Sequence, residues 1–294
     1  MNTKNLFIAV LSGTIACLSM ISCNNEVPNT SSLSDEASSR SLQTEEVQSV
    51  SFIYKGKTYE SDYFMVNDST IGYMNPEVEE LAKSFEQNPE LYVFLYPNGM
   101  SEYFNNSQDF QTDIKRVMQT VDSLCQIKNP QSRSHVDGGL PSGNQEIQAS
   151  PVYPEYHNAE LILYDDVAFL DRCEILPLEK PFLSVQFPHL KSQCNMNDKV
   201  SSMIAFSIGT DALFECFEDD HYKSHCMSFV VRNGERYEYS FTPGTGTVEV
   251  KQNGKNYGEA WFNDLHNCHV VGTKRSNWHD RITSVKITIQ SFAY

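Results

Sequence analysis

Two six-residue stretches concentrate oxygen donors in the C-terminal half of this 294-residue chain. Asn197 to Ser202 reads Asn-Asp-Lys-Val-Ser-Ser, and His279 to Ser284 reads His-Asp-Arg-Ile-Thr-Ser. A polar residue, Asp, a basic residue, a β-branched aliphatic, a hydroxyl and Ser thus occur twice in one order. Carboxylate, amide, hydroxyl and peptide oxygens suit a hard cation such as calcium, which takes about six to eight oxygens in adaptable geometry. A formal charge of −16 and a pI near 4.8 favour cations as small ligands and disfavour nucleic acid or an anionic membrane surface as partner.

Softer ligands also cluster. His221, His225 and Cys226 form one group and His266, Cys268 and His269 another, which would suit zinc, but no C-x-x-C or H-E-x-x-H spacing accompanies them. For catalysis there is no G-x-S-x-G elbow, and Gly244-Thr245-Gly246 is too short for a phosphate loop. The expectation is a binding or structural module, not an enzyme.

The elements that must position these donors follow from patterning. Val50, Phe52, Ile53 and Tyr54 lead through Lys55-Gly56 to Thr58 and Tyr59, a hairpin. Asn75-Pro76 opens a helix with Val78, Leu81, Ala82 and Phe85 on one face. Leu91 to Tyr96 and Met100 to Phe104 form a second strand pair through Pro97-Asn98-Gly99, and Phe110 to Leu124 repeats at helical spacing over a helix near Ser107 to Cys125. Asn129 to Tyr156, rich in Pro and Gly, reads as a linker.

Beyond it the chain turns strongly β. Leu161 to Phe169 and Leu213 to Tyr222 align: a strand ends in an aromatic, acidic residues follow, and a second aromatic sits five positions after the first (Tyr164 and Phe169, Phe217 and Tyr222). The two rings can stack across a folded hairpin. Each hairpin precedes one six-residue motif and a return strand, the order of a Greek key, and two such keys make a β-sandwich.

These residues resemble the βγ-crystallin family, whose microbial members carry the calcium signature Asn/Asp, Asn/Asp, any, any, Ser/Thr, Ser. Asn197, Asp198, Ser201 and Ser202 match it throughout; Asp280, Thr283 and Ser284 match, with His279 where Asn or Asp belongs. Trp278 and Pro188-His189-Leu190 also resemble family features. The resemblance implies that Ser201 with the Lys199 carbonyl holds one ion and Thr283 with the Arg281 carbonyl another. Each site would be completed across the domain by a leading Asn or Asp (Asn197 or Asp198, Asp280) and by a carbonyl from the opposite acidic hairpin, near Asp165 or Glu218. His279 offers no such oxygen, so the site that needs it is expected to be weakened, and Ser201 is expected to matter more than Thr283. The family's hairpin Gly is replaced by Asp171 and Ser224, and Ser tolerates a left-handed backbone poorly, so the second hairpin is expected to be distorted.

At the N-terminus, Lys4 and an apolar run from Leu6 to Ile21 end in Met20-Ile21-Ser22-Cys23, which resembles a bacterial lipobox with Cys23 as the lipidated residue. Six further cysteines, Cys125, Cys173, Cys194, Cys216, Cys226 and Cys268, are compatible with disulfides in an exported protein. The expected organisation is a signal peptide (1–22), a flexible tether (23–47), a small α+β domain (48–128), a linker (129–157) and an all-β two-Greek-key sandwich (158–294) with an insertion near 231–257. Such a protein would sit in the bacterial cell envelope, at the outer membrane or cell surface, with a protein or glycan partner and one or two weak calcium sites. The alternative is a secreted inhibitor-like or effector protein in which the insertion presents a loop.

Overall fold

The computed structural model describes residues 48–67, 70–128, 157–171, 173–196, 198–242, 245–252, 254–266, 268 and 277–290. The stretches expected as signal peptide, lipidated Cys23, tether and linker (129–156), together with Asn197 and His269, lie outside them.

The N-terminal elements form where local chemistry dictates. Strands β1 (Gln48–Tyr54) and β2 (Lys57–Asn67) pair antiparallel through a turn in which Lys55 and Gly56 take φ 51° and 72°, and β3 (Thr70–Tyr73) adds to β2. Helix α1 (Pro76–Glu86) is capped by Asn75, whose side chain accepts from the Glu77 N–H, and buries Val78, Ala82 and Phe85. Strands β4 (Tyr92–Leu95) and β5 (Ser101–Phe104) pair antiparallel, and β5 also lies parallel to β1. Helix α2 spans Ser107–Lys128.

The C-terminal part is a double Greek key. In the first key, β6 (His157–Tyr164) pairs with β7 (Cys173–Glu179) and with β9 (Ser202–Ile208), while β8 (Ser184–Phe187) crosses to the other sheet. A short turn of helix, α3 (Leu190–Gln193), leads from β8 toward β9. In the second key, β10 (Asp211–Asp219) pairs with β11 (Lys223–Val231) and with β15 (Ser284–Gln290), while β14 (Tyr257–Phe262) crosses to pair with β9. Each key thus lends its third strand to the other, and a layer of alternate residues, Leu161, Met203 and Ala205 facing Phe214, Phe229 and Ile287, closes the core between them.

Both sheets continue past the keys. The insertion is a hairpin, β12 (Glu235–Thr242) and β13 (Thr245–Gln252), whose first strand pairs in parallel with β14, giving a six-stranded sheet ordered β13-β12-β14-β9-β6-β7. Its first strand is built into the sandwich: Tyr237 and Tyr239 are buried, and Tyr239 stacks on Phe262 at 4.3 Å. The other sheet grows through parallel pairing of β4 with β11, Tyr92 opposite Cys226 to Leu95 opposite Phe229, into nine strands ordered β3-β2-β1-β5-β4-β11-β10-β15-β8.

Two separate domains were expected, but hydrogen bonding runs across that boundary and Glu46–Tyr294 is one compact unit. The physical reason is burial. Helix α2 lies over the outer face of the nine-stranded sheet, where Phe110 stacks on Tyr92 at 4.3 Å and Val117, Met118, Val121 and Cys125 share a core with Leu213, Cys226 and Val230. Neither part could cover those residues alone. Buried Glu102 is held by Arg116 of α2 at 2.6 Å, and Asp122 of α2 meets Arg232 at 3.2 Å.

The expected disulfides are absent: no disulfide is seen between the six cysteines among the described residues. Cys216 and Cys226 sit one register step apart on neighbouring strands, Cys216 opposite Met227 and Cys226 opposite Phe217, so they face opposite sides of the sheet. Cys216 enters the inter-sheet core and Cys226 the core beneath α2.

Candidate functional site

One pole of the sandwich gathers both hairpins and both six-residue motifs, related by the pseudo-twofold axis of the two keys. In the first hairpin Ala168, Phe169 and Asp171 take φ 56°, 60° and 62°; in the second His221, Tyr222 and Ser224 take 60°, 62° and 61°. The aromatic pairs stack as edge contacts, Tyr164 on Phe169 at 5.5 Å and Phe217 on Tyr222 at 5.5 Å. The left-handed position is kept in the second hairpin, although its ladder carries a register shift next to the turn, between Phe217 and Asp219, that the first hairpin lacks there. Ser224 adopts the left-handed conformation that the motif demands, because the ring contact and the strand ladders on either side fix the turn more strongly than one residue's preference opposes it.

The last Ser of each motif fastens its own hairpin. Ser202 Oγ donates to the Asp166 carbonyl at 2.6 Å and accepts from the Phe169 N–H at 3.1 Å. Ser284 Oγ donates to the Asp219 carbonyl at 2.7 Å and accepts from the Tyr222 N–H at 3.1 Å. The second residue of each motif has a backbone role too: Asp198 and Asp280 take φ 52° and 54°, a conformation Asp adopts more readily than most side chains.

The fifth residue is where the keys part company. Ser201 and Thr283 enter their sites alike, Ser201 N–H bonding the Tyr164 carbonyl and Thr283 N–H the Phe217 carbonyl, both at 2.9 Å. Ser201 Oγ then donates to the Asp165 carbonyl at 2.8 Å and lies 3.0 Å from His279 Nε2. Since the hydroxyl proton goes to Asp165, Oγ accepts and Nε2 carries the hydrogen. Thr283 Oγ1, by contrast, is buried and has no hydrogen-bond partner among the described residues. An unpaired buried hydroxyl costs about 1–3 kcal/mol, so something must justify its retention.

The sequence placed the damage at His279 in its own motif; the structure places its ring on Ser201, in the other key, 78 residues away. The hairpin carbonyl at Ser201 belongs to the same key, where an oxygen from the opposite key was expected. His279 is further set by His266, whose ring stacks on it at 3.4 Å between centroids and whose Nδ1 lies 2.8 Å from Asp264 Oδ1, and by Asp280 Oδ2, 3.2 Å from His279 Nδ1. Burial pushes the His279 imidazole below its usual range, His266 adding to the effect against the pull of Asp280, Asp264 and Asp166. A Ser-His-Asp sequence of contacts exists here, but Ser201 is 3% exposed and its proton is committed to a carbonyl, which is not the disposition of a nucleophile.

Asp198 stands among other carboxylates. Burial raises the Asp198 carboxyl above its ordinary value, and Asp220, Asp280 and Asp219 raise it further against the relief given by Lys191. Glu218 follows Phe217 as Asp165 follows Tyr164, so its carbonyl is the counterpart of the one Ser201 meets. Its carboxylate is taken up by His225 at 2.8 Å and Arg281 at 2.9 Å; burial raises its pKa, but those partners more than offset this and hold it below the usual carboxylate range. Lys199 and Arg281 occupy equivalent motif positions and are half-buried.

The softer clusters do not converge. His221 packs edge-on against His189 at 4.0 Å, His225 is bound to Glu218 and the Asn88 carbonyl, and Cys226 points beneath α2. Cys268 turns into the core toward Met227 Sδ at 3.6 Å, away from His266. Among the described residues no three such side chains surround one point.

No family model and no curated protein matches the chain. Among solved structures it is similar to βγ-crystallin domains over about 45% of its length. A βγ-crystallin from Ciona intestinalis shares 20% identity, covering 45% of this chain and 99% of that one, with a TM-score of 0.22. A βγ-crystallin domain from Flavobacterium johnsoniae shares 15% over 45% and 98%, with a TM-score of 0.23. A doubly substituted βγ-crystallin domain from Clostridium beijerinckii shares 16% over 44% and 96%, with a TM-score of 0.22. The double Greek key itself is established by the strand order and register of this chain.

Proposed function

We propose that residues 48–290 form a binding or structural module, without catalytic activity, whose crystallin-like pole takes up one calcium ion on the Thr283 side for stability. The observation that carries this reading is Thr283 Oγ1, a buried hydroxyl oxygen without a hydrogen-bond partner among the described residues, in the key whose hairpin supplies Asp219 and Asp220, two of the carboxylates that raise the proton affinity of Asp198. A hard cation would draw on the Thr283 hydroxyl, the Glu218 carbonyl and Asp198, with Asn197 from outside the described residues. The donor set fits: oxygens of carboxylate, hydroxyl and peptide, with no soft ligand among them. With few formal charges committed to the ion, affinity falls in the weak extracellular range, roughly 10⁻⁴ to 10⁻³ M.

The setting that suits such an affinity is a calcium-bearing exterior. Lys4, the apolar run and Cys23 support an exported, lipid-anchored protein in the bacterial envelope. Free calcium at about twenty times Kd stabilises the folded state by about 1.8 kcal/mol, a rise of roughly 4 °C in Tm. Thermal melts in EDTA and in millimolar calcium test this, and no shift would overturn it. Replacing Cys23 by Ser and following lipid labelling tests the anchor, with loss of label expected.

A further inference from the structure

We infer that His279 is a built-in plug: its imidazole takes the place of a metal ion at the Ser201 side, linking the two keys with a protein side chain where calcium would otherwise do so. The inference extends the calcium reading to the second half of the same pole and rests on different residues.

Three observations carry it. The two oxygens that would be offered to an ion on this side, Ser201 Oγ and the Asp165 carbonyl, are bonded to each other at 2.8 Å, and the remaining approach to Ser201 Oγ is taken by His279 Nε2 at 3.0 Å. The ring is clamped: His266 stacks on one face at 3.4 Å, His266 is itself tied to Asp264 at 2.8 Å, and the backbone N–H of Asp280 bonds the Val200 carbonyl at 3.0 Å. The contact also joins the keys, since Ser201 and Asp165 belong to the first and His279 to the second. Nitrogen donors and a consumed hydroxyl do not fit a hard cation. The pseudo-equivalent hydroxyl, Thr283, lacks all of these contacts, so the plug is specific to one side.

His279 is therefore a specificity-determining residue: it limits the pole to a single ion. Restoring an oxygen-bearing side chain should open the second site. Equilibrium dialysis with radioactive calcium on the full chain measures ions bound per molecule for the parent, His279→Asn, His279→Asp and His279→Ala. One ion is expected for the parent and for His279→Ala, and two for His279→Asn or His279→Asp, whichever folds as judged by far-UV circular dichroism. The same count in both oxygen-bearing variants as in the parent overturns the plug. Thr283→Val in the His279→Asn background separates the two readings: one remaining ion supports the plug, and none overturns it. Should the parent bind no calcium while His279→Asn binds one ion, the Thr283 reading fails and the plug stands.

Discussion

The Ser201 and Thr283 sides of the pole share a backbone and differ in who serves the hydroxyl. On the Ser201 side the oxygen is satisfied by a peptide carbonyl and an imidazole; on the Thr283 side it is buried and has no hydrogen-bond partner among the described residues. The Ser201 side thus ties the keys with a side chain, and on the proposed reading an ion would do so on the Thr283 side. Closing a site internally stabilises the metal-free protein, whereas leaving polar groups unpaired costs stability that only a ligand recovers.

The sharpest way to break this contrast is to remove the two hydroxyls in turn. Thr283→Val keeps the shape of the side chain and deletes the unpaired oxygen, so the metal-free protein should gain about 1–3 kcal/mol in urea melts and lose its calcium response entirely. Ser201→Ala should do the reverse. It leaves His279 Nε2–H and the Asp165 carbonyl without their partner, costing about 1–3 kcal/mol, while the calcium-induced rise in Tm persists.

Much of this arrangement was legible in the residues and part was not. The hairpin rings, the motif order and the Asn75 cap are local signals, readable because the partners lie within a few positions. Which site His279 serves was not readable, since its partner lies 78 residues away and either key could have received it. The pairing of β4 with β11 was equally silent: Tyr92 to Leu95 is buried on both faces, and such an apolar run reads the same whether its second edge meets solvent or another strand. The Asp at motif position two suggested a ligand, and the left-handed φ of Asp198 and Asp280 shows a backbone reason for it as well.

Smaller effects sharpen the comparison. Ser224→Gly relieves a left-handed serine in the second hairpin and should stabilise by about 1 kcal/mol, and Asp171→Gly in the first should give less, because Asp accepts that conformation better; chemical melts of both variants check the order. The smallest concerns pH. Asp198 has a raised pKa in the folded state, so the folded protein binds its proton more tightly than the unfolded chain, and stability falls as pH rises from the ordinary carboxylate range through that raised value. In EDTA, Asp198→Asn should be slightly more stable than the parent at neutral pH, and this advantage should vanish in acid, below the ordinary carboxylate pKa.

The most direct test is calorimetric calcium titration of the parent chain beside Thr283→Val and Ser201→Ala. One ion per molecule in the parent, none in Thr283→Val and one in Ser201→Ala is the predicted result. Binding that survives loss of the Thr283 hydroxyl and disappears with that of Ser201 would contradict the account.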